Sequence, residues 1–166
     1  NEYLERLEQF GPELAATHRI LPGNHRGPPV LARLRDNRRA LLSDWSDIAA
    51  ASRAGQAVSP AAEWVIDNFQ LVEEQLREVE EDLPPGFYLE LPKLAEGNTA
   101  GYPRVYALVV AYIEHTDSRF DLESLRRFVV AYQTAQPLTI GELWAIAISL
   151  RIVLVENLRR LADAIV

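Results

Sequence analysis

The 166-residue sequence contains no cysteine and no methionine. Without cysteine the chain forms neither a disulfide nor a thiolate metal site, which excludes disulfide-stabilised scaffolds and zinc fingers. Its three histidines, His18, His25 and His115, are scattered and lack the H-E-x-x-H spacing of zinc proteases. A phosphate-cradling glycine loop and the G-x-S-x-G turn of hydrolases are also absent. These absences predict no metal, no cofactor and no catalytic residue in this segment.

The chain also lacks a long uncharged apolar run and a visible secretory signal. A membrane-spanning helix needs about 20 mostly apolar residues, whereas the run from Leu143 to Val155 is shorter and carries Arg151. Thr139 and Glu142 have the spacing of a capping box, which predicts that a helix begins there. Because a capped helix that is apolar almost all round usually lies inside a bundle, 137–166 is predicted to be a core helix and not a membrane span.

Positive charge is scarce, and the formal net charge is −7. Nonspecific nucleic-acid binding depends on a basic surface, so nucleic acid is excluded as a partner. The acidity is concentrated in residues 55–98, with ten acidic residues against two basic ones. Two interpretations stay open for this segment: a solvated helix face, or a surface that docks a partner protein through Glu73, Glu74 and Glu78.

Apolar residues recur at helical spacing almost throughout, and no strand-like alternation persists. Gly11 and Pro12 interrupt the first helix and are expected to kink or delay it. Ser59 and Pro60 are typical of the start of the third helix. The apolar residues that follow at heptad spacing are Val65, Phe69, Val72, Leu76, Val79 and Leu83.

Two shorter helices are predicted from Arg104 to His115 and from Asp121 to Ala135, with Asp121 as the N-cap. The fold class is therefore an all-α bundle of about six helices in antiparallel pairs, a layout that also allows a helical repeat. Residues 1–166 are expected to form a single helical domain. Because the chain opens in mid-helix without a methionine, we expect it to be a fragment of a longer protein.

The segment 83–103 holds four prolines and three glycines, so it cannot be one regular element, yet its apolar residues predict an ordered, packed loop. Arg104 follows it in the first turn of a helix, where the helix dipole disfavours positive charge. We therefore expect Arg104 to bridge to a carboxylate, for which the acidic third helix is a candidate. A bridge from Arg126 or Arg127 is the other expectation.

Aromatic and polar side chains offer one further site, a carbohydrate-binding surface. Sugar rings pack their C–H groups on aromatic faces, and carboxylates or amides bind the hydroxyls. The competing interpretation is that these aromatic residues build the core. The candidate carbohydrate-binding residues are Trp64, Asp67, Asn68, Tyr102, Tyr106, Glu142 and Trp144.

Two long stretches closely resemble the amino-terminal part of bacterial cyclic β-1,2-glucan synthases. They read "WVIDNFQLVEEQLREVEEDLPPGFYLELPKLAEG" and "AGYPRVYALVVAYIEHTDSRFDLESLRRFVVAYQTAQPLTIGELWAIAISLRIVLVENLRRLA". The resemblance covers residues 60–162. Ala147 stands where a proline is expected in the family, which predicts a straighter last helix here.

The resemblance implies a segment of a very large inner-membrane protein that polymerises glucose from UDP-glucose, holds the growing chain on the protein and then cyclises it. This segment would lie on the cytoplasmic side, with the transferase and the membrane helices elsewhere in the chain. No Asp-x-Asp pattern for a nucleotide-sugar site occurs here. We therefore expect a non-catalytic helical module that scaffolds the transferase or guides nascent glucan. Its expected partners are the remaining domains of the same polypeptide and β-1,2-glucan.

Overall fold

The computed structural model describes residues 2–25, 27, 30–57, 59–82, 86–116 and 121–165. Within these ranges the chain forms seven helices and no strand, which confirms the all-α prediction. The helices are α1 (Glu2–Thr17), α2 (Val30–Arg53), α3 (Pro60–Asp82), α4 (Phe87–Glu90), α5 (Arg104–His115), α6 (Leu122–Gln133) and α7 (Ile140–Ile165).

The chain divides into two compact units. Unit 1 comprises Asn1–Pro28 and Pro85–Leu150, and unit 2 comprises Pro29–Pro84 and Arg151–Val166. The helix α7 contributes its first part to unit 1 and its second part to unit 2. The single helical domain expected for residues 1–166 stays a prediction, because two compact units can belong to one domain that folds cooperatively.

In unit 1, α1 packs along α6. The helix α1 runs through Gly11 and Pro12 without ending. A Cβ atom on Gly11 would lie 2.7 Å from the backbone nitrogen of Tyr132, so only glycine permits this close approach. Further along, Glu8 pairs with Arg127. The contacts advance in the same direction on both helices, so α1 and α6 run parallel, which helices far apart in sequence are free to do.

The helix α5 is the most deeply buried part of unit 1. Val105, Leu108, Val109 and Tyr112 are fully buried along it. The hydroxyl of Tyr112 lies 2.7 Å from Oγ of Ser124, which ties α5 to the start of α6. Predicted bounds of α5 are reproduced, and α6 ends two residues before the predicted Ala135.

Of the predicted loop 83–103, residues 83–85 lie outside the described residues, and Phe87–Glu90 form α4. The segment 91–103, between α4 and α5, is packed down as predicted. Its backbone pairs with the chain after α1: Leu21 N–H donates to the Lys93 carbonyl at 2.8 Å, and Ala95 N–H donates to the Arg19 carbonyl at 2.7 Å. Leu94 is almost completely buried. These bonds satisfy backbone groups that a packed irregular loop would otherwise leave unpaired.

In unit 2, α2 and α3 form the antiparallel pair that sequence neighbours make. Contacts run in opposite senses along the two helices, from Arg38 with Glu73 to Trp45, whose ring stacks on Phe69 at 4.7 Å. The helix α3 begins at Pro60, as predicted. Of the heptad residues in the described part of α3, Leu76 is buried and Phe69 is half-buried. The side chains of Val65, Val72 and Val79, and residue Leu83, lie outside the described residues.

Candidate functional site

The strongest polar feature of unit 1 is an ion pair between Arg104, at the start of α5, and Glu142, in the first turn of α7. Arg104 is 5% exposed and Glu142 is fully buried. The guanidinium donates from Nε to Oε2 at 2.9 Å and from Nη2 to Oε1 at 2.5 Å, the two-pronged geometry that suits arginine and carboxylate. Burial on its own would lower the pKa of Arg104, but the hydrogen bonds and the charge of Glu142 raise it.

The partner of Arg104 corrects one sequence expectation. The acidic third helix was the expected source of the carboxylate, whereas the structure supplies it from α7. Glu142 also completes the predicted capping box. Its backbone N–H donates to Oγ1 of Thr139 at 3.1 Å, and its Oε1 accepts from the Thr139 N–H at 3.0 Å. The Glu142 carboxylate therefore caps the start of α7 and also neutralises the charge of Arg104 at the start of α5.

Gln136 extends this polar centre to the end of α1. Its Oε1 accepts from Nη1 of Arg104 at 3.0 Å, while its Nε2 donates to the carbonyls of Ala15 at 2.6 Å and His18 at 2.8 Å. The Pro137 carbonyl accepts a further bond from Arg104 at 3.3 Å. The side chains of Arg104 and Gln136 thus join the end of α1, the start of α5, the loop before α7 and the first turn of α7. These hydrogen bonds all go to groups within unit 1.

His18 and Tyr132 form the other side of the same centre. Nδ1 of His18 lies 2.7 Å from the Tyr132 hydroxyl, and both residues are buried. Burial, reinforced by the charge of Arg104, lowers the pKa of His18 to about 4. Burial raises the pKa of Tyr132 to about 12. Both groups are then neutral at pH 7, so the hydrogen bond that joins them is one between uncharged side chains.

Lys93 is a buried cation that the sequence reading did not single out. It is 1% exposed, and its ammonium donates to the carbonyls of Tyr88 at 2.5 Å and Leu91 at 2.6 Å. These carbonyls lie at the carboxyl end of α4, where a helix leaves acceptors unpaired. Burial lowers the pKa of Lys93. Its bonds to backbone carbonyls indicate that Lys93 caps the carboxyl end of α4, a role that no sequence pattern predicts.

The predicted bridges of Arg126 and Arg127 are confirmed. Both side chains donate to Glu123 on the surface of α6, and Arg127 also reaches Glu8 of α1 at 3.2 Å. Together the two arginines lower the pKa of Glu123 to about 2. Asp121 caps α6 as predicted, because its carboxylate accepts from the Ser124 N–H at 2.8 Å.

Four of the predicted carbohydrate-binding residues lie in unit 1, in different surroundings. Tyr102 is half-buried, and its ring stacks on that of the buried Tyr106 at 5.4 Å. Glu142 belongs to the buried ion pair. Trp144 is 77% exposed on α7. Carbohydrate binding at these residues stays a prediction.

The other three candidates lie on α3 in unit 2. Asp67 is exposed and Asn68 is half-buried, whereas the side chain of Trp64 lies outside the described residues. On the same helix Glu73 accepts from Arg38 at 3.1 Å, and Glu74 is exposed. Partner docking through this acidic helix stays a prediction, and part of its charge is already paired within unit 2.

A second polar cluster lies between α2 and the end of α7 in unit 2. Burial raises the pKa of Asp44 to about 6, helped by a hydrogen bond to Asp163 and by the charges of Asp163 and Asp47. Arg159 opposes this rise and bonds to both Asp163 and Asn37. Across the described ranges, no three His, Asp or Glu residues are arranged to hold a metal ion.

Among the described helices, none combines the length and apolarity needed to cross a membrane. The core-helix prediction holds for one face of α7 only: Ser149, Ile152 and Glu156 are buried on that face. On the other face Ile140 is 76% exposed and Trp144 is 77% exposed, so the first part of α7 is not a core helix on all sides.

The fold and the buried centre define the class of this chain: an all-α module in which the buried Arg104–Glu142 ion pair joins helices of unit 1. No protein-family model matches the chain. Over 131 residues, or 79% of its length, it is 44% identical to the cyclic β-(1,2)-glucan synthase NdvB of Rhizobium meliloti (strain 1021). The resemblance predicted from the two quoted stretches is thereby confirmed. The match covers 5% of the length of that synthase.

Proposed function

We propose that this chain is a non-catalytic helical module of a cyclic β-1,2-glucan synthase, where it scaffolds the transferase that polymerises glucose from UDP-glucose. The 44% identity to such a synthase carries the proposal. The Arg104–Glu142 pair supports it, because both side chains are buried and the hydrogen bonds described for them go to groups of the module itself. In the synthase the module lies on the cytoplasmic side of the inner membrane and contacts the remaining domains of its own polypeptide.

The test uses the synthase that contains this chain, with Glu142→Gln in the module and Glu123→Gln as the matched surface control. Scaffolding predicts that Glu142→Gln lowers the unfolding temperature and the yield of active enzyme, while the KM for UDP-glucose of the enzyme that remains folded is unchanged. The control keeps wild-type yield. An altered KM in fully folded Glu142→Gln enzyme, or glucan made from UDP-glucose by residues 1–166 alone, would overturn the proposal.

Contact with nascent glucan is a second candidate function, supported by Tyr102. Its half-buried ring is held against Tyr106 at 5.4 Å and so offers an ordered aromatic surface. Titration of residues 1–166 with linear β-1,2-glucan should shift the Tyr102 ring signals in NMR spectra. Tyr102→Ala should abolish binding and Leu122→Ala, at an exposed apolar residue of α6, should leave it unchanged. Unshifted spectra at millimolar glucan would remove this candidate.

A further inference from the structure

The first part of α7 presents an apolar face to solvent. Ile140 is 76% exposed and Trp144 is 77% exposed, and Leu143 and Ala147 on the same face are exposed as well. Their spacing of three and four residues places them side by side along about two turns. The opposite face of α7 holds the buried Glu142. The face of α7 that carries Glu142 is therefore held within unit 1, and the face that carries Ile140 and Trp144 is apolar and exposed to solvent.

Single exposed apolar residues are ordinary, as Leu122 of α6 illustrates at 81% exposure. A contiguous row that includes a tryptophan differs, because exposed apolar patches mark interaction sites. Tryptophan is also among the residues that contribute most to protein interfaces.

The chemistry of this face favours protein over sugar as its occupant. A sugar stacked on Trp144 needs neighbouring groups that bind its hydroxyls. The neighbours one turn away on this face are Ile140 and Ala147, and Leu143 lies beside them, so no side chain of the row except the indole N–H forms hydrogen bonds. An apolar protein surface matches all four residues.

The length of the relative indicates where that surface comes from. The match to this chain covers 5% of the synthase, so most of such a polypeptide lies outside the module. We propose that the α7 face of Ile140, Leu143, Trp144 and Ala147 docks an apolar surface contributed by the synthase polypeptide outside residues 1–166. This inference rests on the proposed function, since it requires the chain to be part of a synthase.

The experiment places the photo-reactive amino acid p-benzoylphenylalanine at position 144 of the intact synthase, with the same amino acid at position 122 as the control. The substitution keeps an aromatic side chain at position 144. Irradiation is expected to link position 144 to peptides of the same polypeptide outside residues 1–166, at the mass of a single chain, and to leave position 122 unlinked.

Links to a second copy, to glucan or lipid, or only to residues 1–166 would overturn the docking proposal, as would absence of links or equal linking at position 122. The outcome is separable from the scaffold proposal. If position 144 stays unlinked while Glu142→Gln still lowers the yield of active synthase, the scaffold stands and the docking face is wrong. If position 144 is linked as expected but residues 1–166 alone make glucan, docking stands and the non-catalytic scaffold is wrong.

Discussion

Replacing Glu142 by glutamine tests whether the buried ion pair holds unit 1 together. The substitution keeps the shape and one acceptor oxygen, so the bond from the Thr139 N–H is retained. It removes the negative charge opposite Arg104, which is only 5% exposed and cannot recover its hydration. Removing one partner of a buried pair destabilises proteins by about 3–5 kcal/mol. We expect about 3 kcal/mol, at the lower end of this range, because a glutamine oxygen in the place of Oε1 still accepts from the Thr139 N–H and from Nη2 of Arg104.

The loss is a large share of the about 5–15 kcal/mol that stabilises a typical domain. Urea unfolding of residues 1–166, followed by circular dichroism, measures it. Glu123→Gln is the matched control, because Glu123 also binds arginines but on the exposed surface of α6, where water and salt screen the pair. A far smaller change is expected there.

A double-mutant cycle with Arg104→Met isolates the pair. If the two charges stabilise each other, Arg104→Met is less destabilising by about 2 kcal/mol in the Glu142→Gln background than in the wild type. The reasoning is refuted if Glu142→Gln destabilises no more than Glu123→Gln, or if the cycle shows additive effects.

Three further predictions follow from the same unfolding measurement. Gly11→Ala should destabilise by about 2 kcal/mol, because the added Cβ atom would lie 2.7 Å from the backbone of α6. The control Gly141→Ala should stabilise by about 0.5–1 kcal/mol, because alanine has the higher helix propensity. A stabilising effect of Gly11→Ala would contradict the close packing of α1 on α6. In the folded state the pKa of His18 is about 4, so the unfolded chain binds a proton at this residue at a higher pH than the folded chain does. The unfolding free energy of the wild type should therefore fall by about 3 kcal/mol, relative to that of His18→Asn, as the pH drops from 6.5 to 4. Asp44, whose raised pKa acts in the opposite sense, is present in both proteins and cancels, so parallel pH curves would refute the role of His18. Lys93→Met should destabilise by about 2 kcal/mol, because it removes the ammonium that donates to the buried Leu91 carbonyl and to the Tyr88 carbonyl, and among the described residues only the latter keeps another donor, the Leu91 N–H. An unchanged unfolding midpoint would show that the Leu91 carbonyl finds another donor.

Helix starts were the most predictable part of the fold, because capping is local chemistry. Thr139 with Glu142, and Asp121 with Ser124, bond within three residues, so spacing alone identifies them. The first helix was harder: Gly11 and Pro12 read as an interruption, yet α1 continues through both. The helix packs closely on α6, which offsets the cost of a glycine and a proline inside a helix. The sequence around Gly11 does not predict this packing, because α6 begins far along the chain, at Leu122.

The candidate polar centre was only half predictable. The poor placement of Arg104 against the helix dipole indicated a carboxylate partner, which the structure confirms. The identity of the partner was wrong, because Glu142 is 38 residues away and a charge run on α3 offered more carboxylates. The arrangement of α5 against α7 decided the choice. The burial of Lys93, which depends on the path of the loop around α4, gave no sequence signal.

The amino-acid sequence by itself determined the all-α class, most helix starts and the resemblance to cyclic β-1,2-glucan synthases, since periodicity, caps and long shared stretches are local properties. Tertiary structure alone decided that Glu142 pairs with Arg104, that α1 and α6 run parallel, and that Trp144 faces solvent while Ala145 beside it is buried. The physical reason is that burial and pairing depend on residues brought together from distant parts of the chain, which no local pattern specifies.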